Sequence, residues 1–268
     1  QAIKPENKMN NLSHIIRSVN LFELKYLIPL KTAEAFKKAL GAYLVPDQHG
    51  GSTGSYPVTS LYYDSPDFKF YWQKVEGIKF RRKLRLRVYG EMASLTPETP
   101  VFVEIKQRLD RVTQKRRIVL PYQAAQAMCD GRIRPACQPV EQPVVDEMLA
   151  MIEQYQLQPA SIISYQRLAM VGTDYDIGLR VTFDTDLRYN GQHLLLTGYQ
   201  PNGFMFPPDW TVMEIKVNER IPYWLTELVA KYNLRLTRVS KYARSIELIQ
   251  AMPLANWYPQ AVLLSSDH

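Results

Sequence analysis

Four cations fall on alternate positions of one run, residues 79–89 (KFRRKLRLRVY): Arg81, Lys83, Arg85 and Arg87, with Leu84, Leu86 and Val88 between the last of them. Successive side chains of a β-strand point to opposite faces, so a strand here carries one basic face and one apolar face. Like charges in a row repel, and a solvated face ordinarily mixes signs, so this row calls for an anion. The same parity places Glu104 with Lys106 in 101–107 (VFVEIKQ), Glu214 with Lys216 in 211–217, and Glu23 with Lys25 in 21–28 (LFELKYLI). Lys115 and Arg117, Arg167, and Arg180 with Thr182 and Asp184 extend the pattern to three further segments. If these faces converge, roughly ten cations and a few carboxylates share one lumen, which is costly unless a polyanion and a metal complete it. A wet tunnel for a chain of phosphates meets that requirement. The competing arrangement is a half-buried sheet whose polar face is solvated and laced by Glu–Lys cross-strand pairs. Across these strands the apolar faces already supply a core for flanking helices, which favours polar faces that meet each other.

The elements that must position these residues are strands at 21–28, 56–63, 79–89, 101–107, 113–120, 161–170, 179–184 and 211–217, with 79–89 expected to be the longest. Helical patterns occupy 32–43, with Thr32 as the expected N-cap, then 123–129, 144–155, 222–232 and 241–252. A Gly/Ser loop (HGGSTGS) spans 49–55, an aromatic-rich connection spans 68–72, and a short charged turn at 109–111 makes a hairpin of its neighbours. The expected class is mainly β (α+β): a closed eight-stranded antiparallel β-barrel without open edges, with flanking helices. No linker or repeat divides the chain, so residues 19–252 are read as one domain. Residues 1–18 form an N-terminal extension, in which Met9 is a plausible native start and the residues before it are an upstream extension or a foreign remnant. Residues 253–268 form a tail without clear period, a packing arm or a disordered end.

The balance of 33 Lys+Arg against 26 Asp+Glu gives a formal charge of +7, which favours phosphate, nucleic acid or an acidic membrane without choosing among them. Nucleic acid is not expected, because the basic strands carry aliphatic residues on their other faces where stacking aromatics would be needed. The densest aromatic cluster, Tyr56, Tyr62, Tyr63, Phe68, Phe70, Tyr71 and Trp72, is read as packing, with nucleobase stacking as the alternative. Cys129 and Cys137 form no CxxC pair with nearby His, so neither zinc nor a disulfide framework is indicated. No apolar run approaches the ~20 residues that span a bilayer, and no signal-peptide pattern opens the chain; a cytoplasmic location is expected, peripheral to a membrane only through a partner.

Eight motifs run in order along the chain: FELKY at 22–26, LYYDS at 61–65, KLRLRVYG at 83–90, VFVEIKQR at 101–108, SYQRLAM at 164–170, LRVTFDTDL at 179–187, VMEIKV at 212–217 and SKYARSI at 240–246. Together they resemble the polyphosphate polymerase domain of the vacuolar transporter chaperone (VTC) complex and its bacterial relatives, within the CYTH-like triphosphate tunnel metalloenzymes. The resemblance implies that Lys25, Arg85, Arg87, Lys106, Arg167, Arg180 and Lys241 contact phosphates. It further implies that Glu214 binds a divalent metal, Mn²⁺ or Mg²⁺, with Glu23 and Glu104 as further candidates, and that Ser240 lies beside the phosphate path. Lys216 and Glu104 complete the lumen, Lys115 and Arg117 resemble the family's next basic pair, and Arg81 and Lys83 extend the phosphate contacts. The implied catalytic set is Lys25, Arg85, Arg87, Lys106, Ser240 and Lys241. Spacing alone would instead read Ser240 as a helix N-cap and Lys241 as a solvated first-turn lysine.

One departure bears on activity. The wider superfamily carries Glu-x-Glu-x-Lys on its first strand, and Leu21 stands here at the first Glu position. The reduced acidic set points to the polymerase branch, which transfers the ATP γ-phosphate to a growing polyphosphate. A metal-dependent triphosphatase with water as acceptor and a non-catalytic polyanion-binding module remain the alternatives. These 268 residues hold neither the inositol-phosphate-sensing domain nor the membrane span that accompany the eukaryotic polymerase, so coupling to transport is expected to need a separate membrane protein.

Overall fold

A computed structural model describes residues 22–48, 50, 54–110, 112–173, 176–218 and 220–251, together with the backbone of 16–19. Leu21 and the C-terminal tail lie outside the described residues. The chain divides into two compact units, Gln1–Val19 with Tyr63–Arg87 and Thr96–Pro159, and Asn20–Tyr62 with Val88–Leu95 and Ala160–His268.

The first unit is built on strands β1 (Ile16–Val19), β5 (Phe80–Tyr89), β6 (Pro100–Leu109) and β7 (Val112–Pro121), ordered β1-β7-β6-β5 and antiparallel throughout. The charged turn at 109–111 does form the β6–β7 hairpin, with Asp110 at a φ of 51°, a conformation that short polar residues tolerate in tight turns. Leu84, Leu86, Val101, Val103, Ile105, Ile118 and Leu120 are buried on the apolar face of these strands. Helix α3 (Tyr122–Gly131) lies against β6 and β7, and α4 (Gln142–Tyr155) lies against β7 and α3. They contribute buried Met128, Val145, Met148 and Ile152. The expected aromatic connection is instead a helix, α2 (Lys69–Val75). Its start is made by the preceding Asp-Ser: Asp64 accepts from the backbone N–H of Phe70 and Tyr71 at 2.9 and 3.1 Å, and Ser65 Oγ accepts from Lys69 N–H at 2.9 Å. A carboxylate on the orphan amides of a first turn stabilises a helix with three consecutive aromatic residues.

In the second unit the order is β4-β8-β9-β11-β2, formed by β4 (Ser55–Asp64), β8 (Gln158–Gly172), β9 (Arg180–Asn190), β11 (Trp210–Val217) and β2 (Phe22–Pro29). The short strands β3 (Leu44–Pro46) and β10 (Gly203–Phe204) pair with β8 and β9. β4 and β5 each carry residues of both units. Eleven strands are therefore present among the described residues where eight were expected, because β1, β3 and β10 are two to four residues long, too short for an alternating pattern to register. The longest strand is β8 with 15 residues, not β5 with 10. Tyr26, Ile28, Val181, Phe183, Met213 and Ile215 form one apolar face, and Ala33, Phe36 and Leu40 of α1 (Leu30–Leu40) with Leu225 of α5 (Tyr223–Lys231) cover it.

Thr32 does not cap α1. Pro29 holds that place, because β2 runs straight into the helix and the first amide, Leu30 N–H, is taken by the Asp209 carbonyl at 2.6 Å. The last helix, α6 (Lys241–Ile249), is buried at every residue from Lys241 to Glu247 and lies against β9. No helix among the described residues is long and apolar enough to cross a membrane. Phe36 is wholly buried between α1 and the sheet, so Phe36→Ala is expected to lower unfolding free energy by about 3–5 kcal/mol in urea titrations.

Candidate functional site

Strand register sets the polar face of the first unit. Arg85 stands opposite Glu104, which stands opposite Arg117; Lys83 stands opposite Lys106, which stands opposite Lys115; and Arg81 faces Arg108. Three lysines thus face one another across three adjacent strands, an arrangement that is destabilising unless an anion joins it. Glu104 is the only carboxylate that β5, β6 and β7 bring to this face, and it is fully buried. Arg85 donates to Glu104 Oε2 from Nε at 2.8 Å and from Nη2 at 2.6 Å, and Lys115 Nζ lies 2.5 Å from Oε1. Burial alone would push the Glu104 carboxyl up, but Arg85, Arg87 and Lys115 outweigh it and hold the group far below the usual carboxylate range. Arg117 packs over Phe102 at 4.8 Å, and burial with Arg108 nearby lowers the affinity of Arg81 for its proton. The expectation that Arg81, Lys83, Arg85, Arg87, Glu104, Lys106, Lys115 and Arg117 share one face agrees with this register.

The second unit gathers its charges around Glu214 on β11. Lys25 Nζ on β2 and Lys216 Nζ each approach a Glu214 oxygen at 3.3 Å, Lys241 Nζ at the first position of α6 donates at 3.0 Å, and Arg167 on β8 lies at 4.0 Å. Glu23 lies 3.8 Å from both Lys25 and Lys216. Burial would raise the Glu214 carboxyl, yet Lys241, Lys25 and Lys216 hold it well below its ordinary value. Burial would likewise strip the proton from Lys241, and the carboxylates of Asp184 and Glu214 hold it on instead. Arg180 is the outlying member, with Nη1 2.5 Å from Asp47 and Nη2 donating to the Tyr56 hydroxyl at 3.1 Å.

Ser240 and Lys241 answer the sequence reading in opposite ways. Ser240 is the N-cap of α6, accepting from Ala243 N–H at 3.2 Å, so its role here is to start the helix. Lys241 is not a solvated first-turn lysine; it is buried and bonds both Asp184 and Glu214. Asp184 was visible by parity on its strand but carried no assigned role. Arg167 grips it through Nε and Nη2, both at 2.6 Å, because β8 and β9 bring the two into register. Tyr165 also escaped notice, and its ring lies 5.1 Å from the Arg167 guanidinium and 5.0 Å from Lys241 Nζ. Most of the aromatic cluster is packing: Tyr62 stacks on Tyr242, Phe70 meets Tyr155 edge-on, and the Tyr63 hydroxyl donates to Asp130 at 2.9 Å. Among the described residues no three His, Cys, Asp or Glu side chains come together to cage a metal. Glu214 could still serve as one ligand, since Mg²⁺ characteristically takes one or two carboxylates and completes its shell with phosphate oxygens and water.

The sequence profile of the VTC domain family matches residues 20–250. The chain belongs to that family. Two relatives named vacuolar transporter chaperone complex subunit 4 are each 28% identical to it. The one from Trypanosoma cruzi (strain CL Brener) aligns over 224 residues, 71% of this chain and 28% of the relative. The one from Trypanosoma brucei brucei aligns over 244 residues, 76% of this chain and 30% of the relative. This VTC-domain chain thus spans under a third of the length of either. Among solved structures, a candidate adenylate cyclase from Bacillus halodurans shares the fold, with a TM-score of 0.50 at 14% identity over 84% of this chain and 95% of that one. The VTC-domain resemblance carried by the motifs agrees with that family.

Because the Glu104 carboxyl is depressed on folding, the stability it contributes is full above its unfolded pKa of about 4.3 and fades as pH falls toward the folded value. Glu104→Gln leaves the surrounding cations without their carboxylate and is expected to cost about 3–5 kcal/mol at pH 7. The difference from the parent should shrink as pH drops below about 4 in chemical denaturation.

Proposed function

We propose that this VTC-domain protein catalyses metal-dependent phosphoryl transfer, building inorganic polyphosphate from the γ-phosphate of ATP. The observation that carries the reading is the row Lys83, Lys106 and Lys115, cations placed opposite one another by strand register with a single carboxylate in the next row. A run of phosphates is the anion whose repeat matches a ladder of cations. In this reading the fold is the closed tunnel that the motifs imply.

Phosphoryl transfer asks the protein for charge neutralisation and alignment rather than covalent chemistry. Arg85, Arg87, Arg167 and Arg180 offer planar forks to phosphate oxygens, while Lys25, Lys83, Lys106, Lys115, Lys216 and Lys241 act as point charges along the chain of phosphates. Asp184 and Glu214 favour the protonated form of Lys241, and Ser240 keeps it on station by capping its helix. Glu214 would hold the Mn²⁺ or Mg²⁺ together with substrate oxygens, and Glu23 stands one row away. That ion, when bound, neutralises the transferred group and its bridging oxygens.

ATP as donor puts the reaction in the cytoplasm. The relatives' names, as subunits of a transporter chaperone complex, are the ground for expecting a membrane-protein partner that takes the product onward. Incubation with ATP and Mn²⁺, with products sized on gels, is expected to yield chains longer than triphosphate. Orthophosphate as the sole product would instead make the protein a triphosphatase. Arg85→Ala and Lys106→Ala are each expected to lower kcat/KM about 10²–10³-fold, and unchanged turnover in both would remove catalysis from this face.

A further inference from the structure

We propose that Tyr56 and Tyr89, with Arg180 beside them, form the nucleobase end of the site and take the purine ring of a nucleoside triphosphate. The proposal rests on the phosphoryl-transfer reading above, and it explains a feature that phosphate binding leaves unused. On β5 the residues that share parity with Tyr89 are Arg81, Lys83, Arg85 and Arg87, so a wholly basic strand face ends on an aromatic ring. Tyr89 keeps 40% of its surface exposed, unlike the packed tyrosines Tyr62 and Tyr63. The strand stops there, with Gly90 at a φ of 101°.

Tyr56 approaches Tyr89 with ring centroids 6.0 Å apart and planes at 57°. That spacing leaves no slot between the rings, so the ligand ring stacks on the exposed part of Tyr89 while Tyr56 braces it from the side. Tyr56 is itself held, its hydroxyl accepting from Arg180 Nη2 at 3.1 Å while Asp47 holds Nη1 at 2.5 Å. Arg180 shares a row with Lys216 and Glu23, and the neighbouring row, roughly 7 Å further along the strands, holds Thr182, Glu214 and Lys25. The order is therefore aromatic ring, then guanidinium, then the Lys–Glu cluster, which matches base, proximal phosphate and distal phosphates of one nucleotide. Every base has a π-face, so such a platform selects by ring area more than by hydrogen-bond pattern. It favours purines over pyrimidines and leaves inorganic phosphate chains indifferent to the rings.

The test is equilibrium binding of a non-hydrolysable ATP analogue and of inorganic tripolyphosphate to the same proteins. In Tyr89→Ala, and in Tyr89→Leu, which keeps the bulk, the ratio of the two dissociation constants is expected to move about tenfold against the ATP analogue. Tyr89→Trp should hold or enlarge the parental ratio, and the parent should bind the GTP analogue more tightly than the CTP analogue. An unchanged ratio in both Tyr89→Ala and Tyr89→Leu, or equal weakening of both ligands, overturns the proposal while leaving the phosphate site standing. Failure of the parent to bind either ligand overturns the phosphate reading and this inference with it.

Discussion

Each polar face is organised around a buried carboxylate that its neighbours outnumber. Glu104 has Arg85, Arg87 and Lys115 about it, and Glu214 has Lys25, Lys216, Lys241 and Arg167. A carboxylate taken out of water on its own would give up its charge, and a lysine taken out of water would give up its proton. Here each keeps the other ionised. On the β5-β6-β7 face the cations exceed the carboxylates that these three strands themselves bring. In the proposed reading that excess, held in place by strand pairing, meets a polyvalent anion.

Everything else serves to keep those charges where they are. The apolar faces bury against α3 and α4 in one unit and against α1 and α5 in the other, and that burial offsets the cost of crowding like charges on the polar faces. α6 differs from the other helices, since residues on all its sides are buried and its first residue belongs to the ion network. A helix in that position needs a definite start. Ser240 provides it, as the N-cap that accepts from Ala243 N–H.

Much of this was legible in the strands because a period of two is unambiguous when the residues are Lys, Arg or Glu on one side and Leu, Ile or Val on the other. The positions of β5, β6 and β7 and the membership of their charged face follow from that alternation alone. The short strands β1, β3 and β10 were not legible, having too few residues to repeat. α2 was hidden because its residues favour packing over helix, and its start depends on Asp64, several positions upstream. Thr32 misled as a cap because β2 runs straight into α1 and the helix has already begun at Leu30.

The sequence by itself determined which residues carry charge, which face of each strand they occupy, and the family to which the chain belongs, because alternation and motif order are local or one-dimensional properties. Tertiary structure alone decided which charges meet. Register placed Lys83, Lys106 and Lys115 in one row, paired Arg167 with Asp184, and drew Lys241 from a helix start into the heart of the Glu214 cluster. Those partnerships set the ionisation of each group. They depend on distances between residues far apart along the chain, which no spacing within one strand contains.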